Sequence, residues 1–174
     1  MANKQITQLP PAISLDGSEE VEIVQPAGSS GTSKRATAAQ IANTGLKRIN
    51  TAIEYVVDEG GLALSTGVKG YLSVPFDAEI LSVMMLSDMT GSVSVDIWKC
   101  SYDAFDAGSS APTVADSITG GAYPTITSGT KYETDSLTSW TTFIESGSVL
   151  AFVIDSATDL TRLTISLGVE RQLD

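Results

Sequence analysis

The stretch TRLTISLGV, residues 161–169, alternates apolar and polar residues with a period of two. From Leu163 onward every odd-numbered residue is apolar, and every even-numbered residue is polar or glycine. The stretch SVSVDIW, residues 92–98, places Val93, Val95 and Ile97 on one face in the same way. Because successive side chains of a strand point to opposite faces, both stretches are predicted to be strands with one buried face.

Strand-like segments recur through the rest of the chain and are separated by glycine and proline turns. The candidate strands are 54–57, 68–74, 78–86, 93–99, 114–118, 125–127, 131–137, 149–155 and 160–169, with turns at Gly60-Gly61, Gly67, Pro75, Gly91, Gly120-Gly121, Gly129 and Gly147. This spacing predicts a mainly β domain over residues 58–174. The expected architecture is an antiparallel, jelly-roll-like β-sandwich.

The segment VLAFVI, residues 149–154, is apolar on both faces, and residues 78–86 nearly repeat this property. A strand of this kind needs a cover over its outer face, because exposed apolar surface promotes aggregation. Either the N-terminal part of the chain or a second subunit would supply the cover. The sequence favours a second subunit.

The N-terminal part of the chain differs from the rest in charge. Residues 1–50 carry five basic and four acidic residues, whereas residues 51–174 carry five basic and 17 acidic residues. This division predicts two parts with a boundary near residues 50–58. Pro10-Pro11 favours an extended arm, residues 21–24 a short strand, and the Gly/Ser-rich residues 26–33 a flexible connection.

A single short helix is predicted over about residues 38–55. Thr37 and Gln40 fit a capping box at its start. The apolar residues that would share one face at heptad spacing are Ala42, Leu46, Ile49, Ile53 and Val56. Two interpretations stay open: a short parallel coiled coil that holds several copies in register, or an amphipathic helix that packs on its own domain.

Composition excludes several functional classes. The chain has 174 residues, no histidine and one cysteine, Cys100, so it has no histidine-based nucleophile system, no histidine-ligated zinc and no internal disulfide. A net charge of -11 argues against nucleic acid and anionic membranes as partners. The start of the chain has no signal-peptide pattern, and no apolar run is long enough to span a membrane. We therefore expect a soluble, non-secretory protein made in the cytoplasm.

Acidic residues suggest two kinds of site, both with weak signals. Asp103 and Asp106, together with Asp96 or Asp116, offer oxygen ligands for calcium, but their spacing matches no EF-hand. Paired carboxylates also resemble the acid and base of a glycosidase, although so acidic a chain offers many such pairs. We predict no enzyme activity, no metal and no cofactor.

Five aromatic residues lie in or beside predicted loops: Tyr102, Phe105, Tyr123, Tyr132 and Trp140. Aromatic rings at the loop tips of a sandwich can stack on sugar rings, which would form a glycan-binding surface. The alternative is that they close the ends of the sandwich. Trp98, on a regular strand, is predicted to be a packing residue.

Two stretches are similar to proteins of tailed-bacteriophage virions. The first contains QITQLP (5–10), LDGSE (15–19), VEIVQ (21–25) and SKRATAAQI (33–41), and it resembles the N-terminal segment of tail fibres, head fibres and related appendages. The second contains TGVKGY (66–71), VDIWK (95–99), PTVADSI (112–118) and LTSW (137–140), and it is similar to a β-rich module of phage structural proteins. Neither stretch carries a catalytic motif.

The resemblance implies a non-enzymatic virion protein anchored through residues 1–50. The anchoring residues would be Ile6, Leu9, Pro10, Ile13, Leu15, Val21, Ile23 and Val24. It also implies a homotrimer, in which residues 42–56 set the register, and other virion proteins of the capsid or tail as partners. A single module favours a short tail fibre or head fibre, with a capsid decoration protein or a carbohydrate-binding adhesin as alternatives.

Overall fold

The computed structural model describes residues 20–23, 34–37, 48–106 and 108–172. The chain divides into two units, residues 1–47 and residues 48–174. In the first unit, β1 (Glu20–Ile23) pairs antiparallel with β2 (Lys34–Thr37). The short strand predicted at residues 21–24 is thereby confirmed. Of the predicted anchoring residues, Val21 and Ile23 lie in β1, and the other six lie outside the described residues.

The second unit consists of antiparallel strands. They are β3 (Arg48–Asp58), β4 (Gly67–Val74), β5 (Ala78–Ser101), β6 (Thr125–Thr134), β7 (Phe143–Ile144), β8 (Ser148–Thr158) and β9 (Arg162–Gln172). One short 3-10 turn, Val114–Asp116, is the only helical element among the described residues. The hydrogen-bonded order is β3-β9-β5-β8-β4, and β6 and β7 also pair with β5. The predicted mainly β class is confirmed.

The long strand β5 belongs to two halves of one curled sheet. Its residues 78–87 pair with β9, and its residues 92–101 pair with β8. On the far side, β3 pairs with β9 and β4 pairs with β8. The first half-sheet is therefore β3, β9 and residues 78–87, and the second half-sheet is β4, β8 and residues 92–101.

The core lies between the inner faces of the two half-sheets. The ring of Tyr55 on β3 stacks on the ring of Phe152 on β8, with a centroid distance of 4.3 Å and an interplanar angle of 3°. Strands from opposite halves thus contact each other face to face, as in a β-sandwich. The largest fully buried side chains of this core include Met85, Ile97, Ile126, Leu150, Phe152, Ile154, Leu163, Ile165 and Leu167. The predicted sandwich-like fold is confirmed.

Two glycines predicted to end strands lie inside continuous strands. β5 runs through Gly91, and β6 runs through Gly129, which is opposite Gly91 in the ladder. A Cβ atom on Gly91 would lie 2.3 Å from the main-chain oxygen of Thr158. Gly91 is therefore required for a close approach of two main chains where the sheet bends, a role that has the same sequence signature as a turn.

Two further predictions are corrected. Residues 114–118, predicted as a strand, form the 3-10 turn Val114–Asp116 followed by an isolated bridge between Ser117 and Trp98. Thr113 caps this turn, because its hydroxyl accepts from the Ala115 N–H and its own N–H donates to Asp116. Local capping by a hydroxyl and a carboxylate here outweighs the strand preference of the apolar residues.

The predicted helix over residues 38–55 is wrong where the structure describes it, because residues 48–58 form β3. Ile53, Tyr55 and Val57 alternate along this strand, and Ile53 and Val57 are buried while Val56 is 54% exposed. Residues 49–57 satisfy both the heptad spacing of a helix and the alternation of a strand. Pairing with β9 makes them a strand. Ala42 and Leu46 lie outside the described residues. Ile49, Ile53 and Val56 therefore form no helical face, and no coiled coil runs through residues 48–56.

Candidate functional site

The outer face of the second half-sheet is covered by the chain itself. Val149, Ala151 and Val153, which form the outer apolar face of β8, are all buried. Ala151 is aligned in register with Trp98 on β5 and with Tyr71 on β4, whose large side chains flank it. A second subunit, which the sequence favoured as the cover, is not required for this burial.

Between β5 and β6, the described residues 102–106 and 108–124 reach this face through Phe105 and Thr119 and are fastened to β5. The Ile118 N–H donates to the Ile97 carbonyl at 2.9 Å, and Ser117 forms a bridge with Trp98. Hydrogen bonds of this kind give the segment a fixed path. It is called the covering loop below.

Asp96 is the central contact between the covering loop and the sheet. Its carboxylate is almost fully buried and accepts four hydrogen bonds: from the Ile97 N–H at 2.8 Å, Trp98 Nε1 at 2.6 Å, Ser117 Oγ at 2.7 Å and Thr119 Oγ1 at 2.7 Å. A buried carboxylate is tolerated only when its oxygens are fully paired in this way. Asp96 is therefore a structural anchor of the loop.

The charge of Asp96 also acts on a neighbouring aromatic residue. The negative carboxylate of Asp96, followed by partial burial and the charge of Asp155, raises the pKa of the Tyr123 phenol above its usual value. Tyr123 therefore stays protonated over the whole physiological pH range. Tyr123 is half-buried.

Three of the four aspartates considered as calcium ligands have separate hydrogen-bond partners, and the fourth, Asp103, is exposed and has none among the described residues. Asp96 is saturated by hydrogen bonds, and Asp116 bonds to Thr113. Asp106 accepts from the Gly108 N–H at 2.9 Å, and this bond, with help from Ser109, lowers the pKa of Asp106. Within the described part of the chain, no three His, Cys, Asp or Glu residues are arranged to hold a metal ion.

Two aromatic residues at the start of the covering loop and one on β4 are at least partly exposed. Phe105 meets Tyr71 edge to face, with a centroid distance of 4.7 Å. Tyr102 shares a turn with Phe105, whose N–H donates to the Tyr102 carbonyl at 3.2 Å, and the Tyr102 side chain is 66% exposed. The set Tyr71, Tyr102 and Phe105 is called the aromatic patch. Aromatic faces of this kind can pack against sugar rings or apolar side chains.

The other aromatic residues predicted to contact glycans have different surroundings. Trp140 donates from Nε1 to the Ala122 carbonyl at 3.0 Å, and it packs with Tyr132 against the core. Tyr123 lies next to Ala122 in the sequence. Sequence reasoning missed Tyr71, because residues 68–74 read as an ordinary strand and give no sign that the covering loop reaches them.

Asp58, Glu59 and Asp88 form ion pairs and hydrogen bonds with β4, with β9 and with the residue before β9. Asp88 accepts hydrogen bonds from the Thr161 hydroxyl, from the Arg162 N–H at 2.9 Å and from the Thr161 N–H at 3.3 Å, and these bonds lower its pKa. The Lys69 ammonium lies 2.6 Å from Glu59 and lowers the pKa of that carboxyl, with help from Ser65. Bonds from the Gly60 N–H and then Arg162 lower the pKa of Asp58.

Comparison with known proteins gives matches among solved structures. No protein-family model matches the chain, and no curated protein matches it. Among solved structures, the chain is similar to one described as "Cyanophage Pam1 capsid asymmetric unit", with 15% sequence identity, a TM-score of 0.31 and full coverage of both chains. In the described residues, no helix is long and apolar enough to cross a membrane. The fold described above rests on its own strand pairing.

Proposed function

We propose that this chain is a structural protein of a tailed-bacteriophage particle, an appendage of the short tail-fibre or head-fibre type. The observation that carries the proposal is the resemblance of residues 5–41 to the attachment segment of such appendages, followed by a β-rich module over residues 66–169. The partners are other virion proteins of the capsid or tail. The proposal assigns no catalytic step, metal or cofactor to the chain.

The two units suggest that one attaches the chain to the particle and that the other is displayed on the particle surface. Residues 1–47 would dock on the particle, and residues 48–174 would face outward. The outer unit is suited to display, because its core is closed by its own strands and its acidic surface opposes non-specific association. The buried side chains of the described residues also leave no polar atom without a hydrogen-bond partner.

Deletion of residues 1–47 tests the attachment role. The cut leaves β3 complete, so the second unit keeps all its strand pairs. When both forms are supplied to infected cells, we expect the full chain to co-purify with particles and the shortened chain to stay in the soluble fraction. Incorporation of the shortened chain at the level of the full chain would refute the attachment role.

Location on the particle distinguishes an appendage from a capsid decoration protein. An antibody against residues 48–174, detected by gold labelling of intact particles, should mark the tail or a single vertex if the chain is a fibre. Even labelling over the whole shell would instead indicate a decoration protein.

The aromatic patch favours a second candidate, a carbohydrate-binding adhesin. Tyr102 is 66% exposed, and Phe105, three residues further on, meets Tyr71 edge to face. Exposed aromatic faces are what a stacking platform for a sugar requires. Glycan-array binding that disappears in Tyr102→Ala and persists in Phe143→Ala, a control at an exposed aromatic residue on β7, would support the adhesin. An array without signal for the unmodified chain would exclude this candidate.

A further inference from the structure

The outer edge of β3 has no strand beside it among the described residues. β3 pairs with β9 over its whole length, from Arg48 opposite Gln172 to Asp58 opposite Arg162, without a bulge. The other outer strand of the sheet, β4, has an irregular register between Val68 and Gly70 and is followed by Pro75. β3 is therefore the more regular edge and the better template for another strand.

The hydrogen-bonding pattern shows which main-chain groups face outward from β3. The Glu59 N–H donates to the Thr161 carbonyl at 3.4 Å, which continues the register of β3 and β9 by one pair. Antiparallel ladders alternate between bonded and non-bonded pairs, so the odd-numbered residues of β3 bond to β9. The N–H and C=O groups of the even-numbered residues, namely Arg48, Asn50, Ala52, Glu54, Val56 and Asp58, therefore point to the free edge.

We propose that β3 is a self-association edge, on which β3 of a second copy of this chain pairs antiparallel about a two-fold axis. In the proposed register, Arg48 lies opposite the partner's Asp58, Asn50 opposite the partner's Val56, and Ala52 opposite the partner's Glu54. This alignment uses every outward-facing residue of the edge. The side chains of these residues all lie on the outer face of the sheet.

The positions of the charged residues on β3 favour this register and a second copy of the chain as the partner. Arg48 and Asp58 stand at opposite ends of the edge, so the two-fold arrangement brings unlike charges together at both ends, as a self-complementary interface requires. Each already has an intramolecular ion pair, with Glu170 and Arg162, and the Arg48 side chain stays 65% exposed, open to a further carboxylate. A shift that centres the axis on Glu54 would place two glutamates opposite each other.

This inference is independent of the proposed virion role. In this inference, copies of the chain associate through a strand edge and not through the predicted coiled coil. It also differs from the trimer that the resemblance implied, because a two-fold edge contact closes at two subunits.

Register-specific cross-linking tests the inference. In a Cys100→Ser background, we place cysteines at Asn50 and Val56, which form a bonded pair with about 5.5 Å between Cα atoms, within the range of a disulfide. Mild oxidation should give a reducible species of twice 18.2 kDa on a denaturing gel. The matched control carries cysteines at Asn50 and Glu54, which are opposite each other only in a register shifted by two residues. Cross-linking in the control but not in the first variant would overturn the proposal.

Solution mass gives a second test on the full chain. Light scattering over a wide concentration range should give twice the chain mass. Ala52→Pro removes one outward N–H per subunit and should weaken dimerisation about tenfold or more, whereas Ala52→Ser keeps that N–H and should not. A monomer at every concentration, as expected if residues 1–47 occupy the edge, or a trimer would overturn the proposal.

Discussion

Asp96 is the residue on which the covering loop depends most. Replacement by alanine would remove the shared acceptor of Trp98 Nε1 and of the Ser117 and Thr119 hydroxyls, which lie 3.0 Å apart in a partly buried place. We expect Asp96→Ala to lower the free energy of unfolding by about 3 kcal/mol, because each orphaned buried donor has a desolvation cost. Urea denaturation followed by tryptophan fluorescence measures the change.

The control for this prediction is Asp103→Ala in the same loop. Asp103 is exposed and makes no hydrogen bond or ion pair with any described residue. Its replacement should alter stability by less than about 0.5 kcal/mol. Equal stability of the two variants would show that Asp96 does not hold the loop.

Asp88 is expected to make folding sensitive to acid. Its folded-state pKa lies below the usual 3.8, so its contribution is fully present above that pH and is lost as the pH falls through the folded value. Asp88→Asn should therefore be less stable than the unmodified chain at pH 7, and the difference should shrink below pH 3.8. Urea midpoints of the two proteins at pH 7 and at a pH below 3.8 measure the difference in stability.

The comparison variant for Asp88 is Asp135→Asn, at a carboxylate that makes no hydrogen bond within the described residues. It should not alter the pH dependence. A constant difference between Asp88→Asn and the unmodified chain at all pH values would contradict the proposed role of Asp88 at the bend.

At the residue scale, the sequence identifies Asp96 as a candidate calcium ligand but does not predict that it anchors the covering loop. Its hydroxyl partners Ser117 and Thr119 follow it by about two dozen positions. Ser117 lies in the predicted strand 114–118, and Thr119 lies just after it. The neighbouring sequence does not show which hydroxyl will bond to a buried carboxylate, because this contact depends on the path of the covering loop in the folded chain. For the same reason, the sequence does not predict that Phe105 contacts Tyr71.

At the scale of elements, the bend of β5 rests on Gly91. A Cβ atom there would meet the Thr158 main-chain oxygen at 2.3 Å and the Leu160 side chain at 2.8 Å, so the neighbouring main chain would have to move. We expect Gly91→Ala to destabilise the fold by about 2 to 3 kcal/mol. Thermal unfolding followed by circular dichroism measures the loss.

Gly129 supplies the matched control, since it lies directly opposite Gly91 in the ladder. A Cβ atom on Gly129 would make only ordinary contacts, 3.6 Å from the Thr127 main-chain oxygen. Gly129→Ala should be neutral, or stabilising by about 0.5 kcal/mol through reduced chain entropy. The prediction fails if the two alanine variants unfold at the same temperature.

Elements with clean alternation could be predicted from the sequence, and elements that cross the bend could not. The strand predicted at residues 160–169 follows from its alternation, and the strand predicted at residues 149–155 follows from its continuous apolar run. They correspond to β9 and β8. The sequence predicts two strands separated at Gly91 where the structure has the single strand β5, because a glycine signals a turn and a close main-chain approach equally well. The sequence predicts a helix over most of β3, because Ile49, Ile53 and Val56 have heptad spacing. Ile53, Tyr55 and Val57 also alternate as in a strand, and the structure follows this second pattern.

At the scale of the whole molecule, β3 is part of the folded second unit and not a linker between the units. It contributes the buried residues Ile53 and Val57 and the ring of Tyr55 that covers Phe152. It also occupies the edge of β9, which would otherwise present unpaired main-chain groups. Residues 48–174 should therefore fold without residues 1–47, and residues 59–174 should not.

The expected size of this effect follows from the buried side chains. Loss of Ile53, Tyr55 and Val57 removes about 1.5 to 3 kcal/mol of burial each, and the sum is comparable to the whole stability of an ordinary domain. Residues 48–174 should show a cooperative urea transition and a near-ultraviolet spectrum from Trp98 and Trp140 equal to that of the full chain. Residues 59–174 should show neither. Cooperative unfolding of residues 59–174 would mean that β3 is an addition to a finished core, and failure of residues 48–174 to fold would mean that residues 1–47 complete it.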